Sequence, residues 1–150
     1  MRWWATTVTE LTGEAREVAL AEVQAVHALS NEAKYGDLVA QVDGGEVDDV
    51  ELLEAVLELG LQSGRIRALY GPGGEQAAVA TVRCLPRGRE RGDSARDVTS
   101  ALQALTGKTL EGVSVAAVGP AAFAITIDAG GVTASVRLDR SGARLTSVGL

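Results

Sequence analysis

The sequence is poor in the residue types that most catalytic and metal sites use. Its 150 residues include one cysteine, Cys84, and one histidine, His27. A single cysteine cannot form a disulfide within the chain, which is compatible with a reducing compartment, and we expect a cytoplasmic protein. No spacing resembles a metal site or a nucleophile elbow. The sequence therefore predicts no cofactor, no metal and, on balance, no enzymatic activity.

Aromatic residues and long apolar runs are scarce as well. Aromatic side chains make up 3% of the chain, whereas proteins that bind single-stranded nucleic acid usually stack bases on aromatic residues interleaved with basic ones. The first residues lack the apolar stretch of a signal peptide, and no later segment approaches the roughly 18 apolar residues of a membrane span. We therefore expect neither secretion by that route nor a membrane partner.

The charges are unevenly distributed along the chain. Residues 1–60 carry thirteen acidic and three basic residues, whereas residues 61–100 carry seven arginines and four acidic residues. An acidic first half repels nucleic acid and anionic lipid. The distribution makes nucleic acid an unfavoured partner without excluding the arginine-rich segment as a contact region.

Hydrophobic periodicity predicts a helical portion over about residues 10–106. Four to five helices are expected, starting near Leu11 and covering residues 47–59, 63–70, 75–84 and 94–105, with Gly60 and Ser63 at two of their ends. Residues 31–42 fit either a helix or a short strand. Residues 87–93 are polar and rich in glycine, which predicts a loop.

From about residue 110 to residue 150 the sequence alternates as β-strands do. Apolar residues at every second position predict about four strands, and the turns are marked by Gly119-Pro120, Gly130-Gly131 and residues 139–142. The alternation predicts an antiparallel meander with an apolar face toward the helices. The opposite face would carry small and polar residues, among them Thr126 and Thr133.

Taken together, these patterns predict a single α+β domain over residues 1–150. Its helical N-terminal portion packs on one face of the C-terminal antiparallel β-meander. The segment around Trp3 and Trp4 is rich in aromatic and β-branched residues, and it predicts an N-terminal strand that could join the sheet.

A weak helix-turn-helix pattern lies at about residues 50–70. Ala55, Leu59, Gly60, Leu61, Ile66 and Leu69 have the spacing of two helices that cross around a glycine-containing turn. In a DNA-binding protein of this kind, Gln62 and Ser63 would open the second helix, and Arg65 and Arg67 would contact phosphates or guanine. Packing of two core helices requires the same spacing, and the acidic helix before it opposes DNA binding.

The remaining signals for a ligand are weaker. Residues 71–74 form a glycine-rich turn before a helix but lack the lysine of a P-loop. Cys84 and His27 are the residue types of a catalytic dyad, but a buried thiol and a histidine at a helix boundary explain the two residues better. A small-molecule-binding or enzymatic domain would need a pocket between the helices and the sheet.

The interpretation that we favour is a non-enzymatic protein-interaction or regulatory module that self-associates. Its candidate interface residues are Trp3 and Trp4, since an exposed tryptophan is a good anchor for a partner, together with Thr126 and Thr133. The meander face that carries the two threonines is low in both bulk and charge, so a second subunit could cover it.

Overall fold

The computed structural model describes residues 8–149, which divide into a helical unit that ends at Arg89 and a second unit that begins at Glu90. The elements are β1 (Thr9–Glu10), α1 (Gly13–Ser30), α2 (Ala33–Gly44), β2 (Glu46–Val47), α3 (Val50–Gln62), α4 (Arg65–Cys84), α5 (Pro86–Leu102), a 3₁₀ turn (Gln103–Leu105), β3 (Leu110–Gly119), β4 (Ala122–Ala129), β5 (Val132–Asp139) and β6 (Gly142–Gly149). The predicted α+β class is confirmed, with five helices before a four-stranded antiparallel meander.

The helical unit has a closed apolar core. Helix α1 ends where Asn31 adopts the left-handed conformation and donates its backbone N–H to the carbonyl of His27, which turns the chain into α2. The ambiguous residues 31–42 therefore belong mainly to a helix. The largest fully buried apolar side chains come from all four helices and β2: Val23, Leu38, Val42, Val47, Leu53, Leu57 and Ile66, with Leu85 after α4.

Two predicted helix ends are wrong and one break is confirmed. Gly60 lies inside α3 rather than after it, and glycine is needed there for packing, since an ideal Cβ would meet the Ile66 side chain at 2.7 Å. Ser63 follows α3, and Gly64 in the left-handed conformation precedes α4. The predicted break at residues 71–74 is a kink, since Gly71 has a non-helical conformation with φ 69° before Pro72.

Residues 87–93, predicted as a loop, are helical and belong to α5. Pro86 occupies the first helical position, which suits its fixed φ and lack of an N–H. The carboxylate of Glu54 accepts hydrogen bonds of 3.0 Å from the backbone N–H groups of Arg87 and Gly88. A capping carboxylate that comes from a distant helix is invisible to local pattern, and it starts α5 before the helix start predicted at Ser94.

The predicted meander is confirmed, with strands paired in the order β3-β4-β5-β6. Gly130 and Gly131 both have positive φ, as the two-residue hairpin loop requires. In the last turn, the Asp139 carboxylate accepts the backbone N–H of Ser141 at 2.9 Å. Each strand therefore pairs with its neighbour in sequence through a tight turn.

Two predictions are left untested by these elements. The strand expected around Trp3 and Trp4 lies outside the described residues. The strands β1 and β2 pair with each other, Thr9 opposite Val47. The single-domain organisation stays a prediction. Within residues 8–149, no helix has both the length and the apolar character needed to cross a membrane.

Candidate interaction surface

A buried carboxylate, Glu22 of α1, joins two elements of the helical unit. Its side chain is 2% exposed, and it accepts hydrogen bonds from the Arg65 guanidinium at 3.0 Å and from the Tyr70 hydroxyl at 2.9 Å. Burial and the hydrogen bond donated to Glu22 raise the pKa of Tyr70 above its ordinary value. The Glu22 carboxylate likewise raises the pKa of Arg65. The cluster fastens α4 to α1.

This cluster bears directly on the predicted DNA-binding residues. Gln62, Ser63, Arg65 and Arg67 are all exposed, but Arg65 is paired with a carboxylate instead of pointing freely at solvent. The structure brings Arg65 into a structural contact and leaves Arg67 apart from it. DNA binding through these residues stays a prediction.

Only some of the residues in the helix-turn-helix pattern are buried. Leu59 and Leu69 are more than half exposed, and α3 buries Leu53, Val56 and Leu57 instead. Packing thus uses a face of α3 that is rotated away from the predicted one. Of the pattern's positions, Gly60 and Ile66 lie in the core.

The predicted chemical groups do not form a recognised site within residues 8–149. The His27 ring lies against Gly36 at the α1–α2 turn, and its Nδ1 is 3.2 Å from the Glu32 carbonyl oxygen. Cys84 is exposed at the end of α4 rather than buried. No group of three histidine, cysteine or acidic residues in the described part of the chain could hold a metal ion.

The register of the meander defines two faces. We call one the apolar face; it consists of three rows of aligned residues, Val113-Ile127-Ala134-Val148, Val115-Ile125-Val136-Leu145 and Ala117-Phe123-Leu138-Ala143. We call the other the polar face; its central row is Ser114-Thr126-Ser135-Ser147. The predicted alternation of apolar with small or polar residues is therefore confirmed in β3, β4 and β5.

Much of the apolar face is uncovered, which the sequence analysis did not anticipate. Val115 is 64% exposed, Val113 55%, Val148 52% and Phe123 46%, whereas Ala134 and Val136 of the central strand β5 are buried. The β3 side of this face is therefore exposed, whereas its centre on β5 is buried. Alternation identifies which residues share a face, but it carries no information about how much of that face is covered.

The dimensions of a helix explain part of this exposure. In the second unit, α5 approaches the meander at β6: the Arg91 side chain lies against Gly142, and Val98 is buried beside a cleft that Leu145 also lines. A helix is about 10 Å wide and strands are about 4.8 Å apart, so one helix covers about two strands. The strand β3 is farthest from β6 in the sheet.

The polar face, which carries the interface residues predicted in the meander, satisfies its own hydrogen bonds. Thr126 and Ser135 are directly opposite, with their hydroxyl oxygens 3.4 Å apart, and the Thr133 hydroxyl donates to the Asp128 carboxylate. Thr126 is half-buried and Thr133 is exposed. A role for either threonine in an interface stays a prediction, as it does for Trp3 and Trp4, which lie outside the described residues.

The two edge strands differ in how they present their backbone. In β6 the register shifts in the middle of the strand, where Leu145 pairs with Val136 and Ser147 with Ser135, so that Thr146 is an extra residue. In β3 the shifts lie near the ends, and Gly112 to Ala117 form a regular stretch without charged residues. A bulge in an edge strand discourages pairing with another strand. The edge of β3 has no such protection over this stretch.

Charged groups of the meander collect at its last turn. Asp139 forms ion pairs with Arg144 at 2.9 Å and Arg137 at 3.2 Å, and it accepts hydrogen bonds from Ser141. The hydrogen bonds from the Ser141 hydroxyl and N–H, helped by the two arginines, hold the pKa of Asp139 far below its ordinary value. By contrast, the β3 residues from Gly112 to Gly119 carry no charge.

Comparison of the chain with protein-family models, curated proteins and solved structures finds no significant match to any of them. The surface of the meander therefore carries the functional interpretation by itself.

Proposed function

We propose that this chain is a non-enzymatic interaction module that self-associates through the β3 side of its meander. The observation that supports this function is the exposure of Val113 and Val115, which lie in adjacent positions of one face and are each more than half exposed. Exposing apolar side-chain surface to water costs roughly 25 cal/mol of free energy for each Å². A second copy that covered them would recover that free energy.

The size of the uncovered region fits a small dimer interface. The large exposed residues of the apolar face are Val113, Val115, Phe123, Leu138, Leu145 and Val148. Their exposed fractions correspond to about 500 Å² per copy, near the upper end of the largest patch on a typical monomer. Two copies supply about 1,000 Å² of apolar side-chain area, which is at the lower limit for a specific interface.

The absence of charge around the region favours a second copy over a charged partner. On the apolar face, all twelve aligned residues are uncharged. A two-fold interface brings each residue near its own counterpart or a close neighbour, so a charge there would be repelled by its copy. A regulatory role and a cytoplasmic location belong to the same proposal. The location is supported by the exposed Cys84 thiol, which a reducing compartment would keep free.

The test is the mass in solution measured by sedimentation over a range of protein concentration. We expect a species of twice the 15.5 kDa chain mass whose fraction rises with concentration. Val113→Lys places an ammonium group on the apolar face and should weaken dimerisation at least about tenfold, with an unchanged circular dichroism spectrum.

Thr133→Lys is the matched control, since it adds the same charge to the same sheet on the polar face. We expect it to leave the dimer intact. A chain that is monomeric up to several hundred micromolar would overturn the proposed function. Dissociation by Thr133→Lys with retention of the dimer in Val113→Lys would instead assign the interface to the polar face and overturn the use of the apolar one.

A further inference from the structure

We infer that β3 pairs edge to edge with β3 of a second copy, antiparallel, with the two-fold axis at Val115. This inference rests on the proposed self-association and specifies its geometry. The two four-stranded meanders would form one continuous eight-stranded sheet. The chemical class of the partner is thus a strand of identical sequence, held by backbone hydrogen bonds and apolar contacts.

The choice of β3 over β6 follows from the difference between the two edges. The ten residues of β3 contain one charged side chain, Glu111, and no proline. The extra residue Thr146 interrupts the middle of β6, and the Arg144 side chain on the same strand is 61% exposed. Natural sheets use bulges and charged side chains to prevent edge pairing. β6 has both devices, and the regular stretch of β3 has neither.

The area of the apolar side chains alone is marginal for a stable dimer, and this favours edge pairing over packing of the two faces. An unpaired edge strand presents a row of backbone donors and acceptors that a second strand can satisfy. Pairing of β3 with its copy supplies these hydrogen bonds and also buries the flanks of Val113 and Val115 against the neighbouring strand. Side chains directly opposite across two antiparallel strands have Cβ atoms about 5 Å apart, so the valines of both copies come into contact.

The register follows from the alternation of the strand and the position of Glu111. An axis on a residue pairs odd-numbered positions with odd-numbered ones, which keeps Val113, Val115 and their copies on one face. With the axis at Val115, that valine lies opposite its own copy and Val113 lies opposite Ala117. An axis at Ser114 would set the Glu111 carboxylate against Ala117, whereas the axis at Val115 sets it against Gly119 at the strand end.

Cysteine cross-linking tests this register directly. In a Cys84→Ser background, Val115→Cys places two thiols opposite each other, with Cα atoms about 5 Å apart and within the range for a disulfide. We expect a disulfide-linked dimer under mild oxidation. Val113→Cys is the matched control: its copy lies four residues along the strand, about 14 Å away, so it should not cross-link with itself. Mixed with Ala117→Cys, it should form the heterodimer.

Hydrogen exchange gives a second readout that needs no substitution. We expect the outward-pointing amides of β3 to exchange at least about tenfold more slowly at a concentration where the dimer dominates, with β6 unchanged. If the dimer forms but Val115→Cys does not cross-link and β3 is not protected, edge pairing is wrong and the proposed function stands. Protection of β6 instead of β3 would overturn the inference as well. If no dimer forms at any concentration, the proposed function fails first.

Discussion

The helical unit and the meander bury their apolar side chains to different degrees. In the helical unit, Leu38, Leu53 and Ile66 have no exposed surface. In the meander, the valines of β3 lie mostly in solvent although they alternate as regularly as any buried strand. The difference shows that a sheet face is completed by whatever packs on it, whereas helices can enclose a core among themselves.

Polar groups follow the same division. Glu22 and Glu54 are buried in the helical unit, and each is met by donors from other elements. In the described part of the chain, no buried side-chain nitrogen or oxygen lacks a hydrogen-bond partner. The carboxylate of the meander with the most partners, Asp139, lies at a surface turn. The carboxylate contacts of the helical unit are therefore buried, whereas those of Asp139 lie at the surface.

The largest expected effect comes from removing the Glu54 carboxylate. Glu54→Ala leaves the backbone N–H groups of Arg87 and Gly88 without their acceptor and leaves a cavity, which should lower the free energy of unfolding by about 4 kcal/mol. Glu54→Gln keeps one acceptor oxygen and should lose about half as much. Urea unfolding followed by circular dichroism measures both.

The control for this prediction is Glu51→Ala, because Glu51 is an exposed acid on the same helix. We expect a change below about 0.5 kcal/mol there. Equal effects at residues 54 and 51 would show that the buried cap contributes nothing beyond charge, and the contrast between the two units would lose its strongest support.

A matched pair of leucines tests the comparison without any change of charge. Leu57→Ala removes a side chain that is 1% exposed in α3 and should lower the free energy of unfolding by about 3 kcal/mol. Leu145→Ala removes one that is 37% exposed in β6 and should lower it by less than about 1 kcal/mol. If the two losses were the same size, the apolar face would be as fully packed as the helical core.

The smallest expected effect is a loss of stability at acidic pH that arises from Asp139 in the meander. The folded-state pKa of Asp139 lies below its unfolded value, so its contribution to stability is present above the ordinary pKa near 4 and is lost as the pH falls. Between about pH 5 and pH 3, the unfolding free energy of Asp139→Asn should fall less than that of the wild type. Ser141→Ala, which removes the largest hydrogen bond, should be intermediate. An unchanged acid slope in Asp139→Asn would contradict this assignment.

The parts of the fold that local pattern determines were predictable. Gly130-Gly131 can only be a tight turn, and strict alternation on either side assigned β4 and β5. Residues 87–93 were not predictable, because their helix is capped by Glu54, 33 residues away in sequence. Gly60 resembled a helix end, yet it is glycine because Ile66 and Glu22 approach it closely. Both misinterpretations arise where tertiary contacts override a local signal.

The candidate surface was half predictable for a related reason. Alternation assigned Val113 and Val115 to one face, since side-chain direction is a local property of a strand. Their exposure depends on the width of what packs above them, which no pattern along the chain records. The sequence therefore predicted an interface at Thr126 and Thr133 on the opposite face.

The order of the strands also affects how the protein reaches its folded state. Synthesis proceeds from the N-terminus, so the helical unit emerges before the meander. Each hairpin then joins segments that are adjacent in sequence, and such local contacts form faster than distant ones. The strand β3 is the first of the four to be made, and it acquires its one partner, β4, as soon as the next ten residues follow. During synthesis, both hydrogen-bonding edges of β3 are thus unpaired only briefly. This limits the time in which that strand could pair with the wrong neighbour.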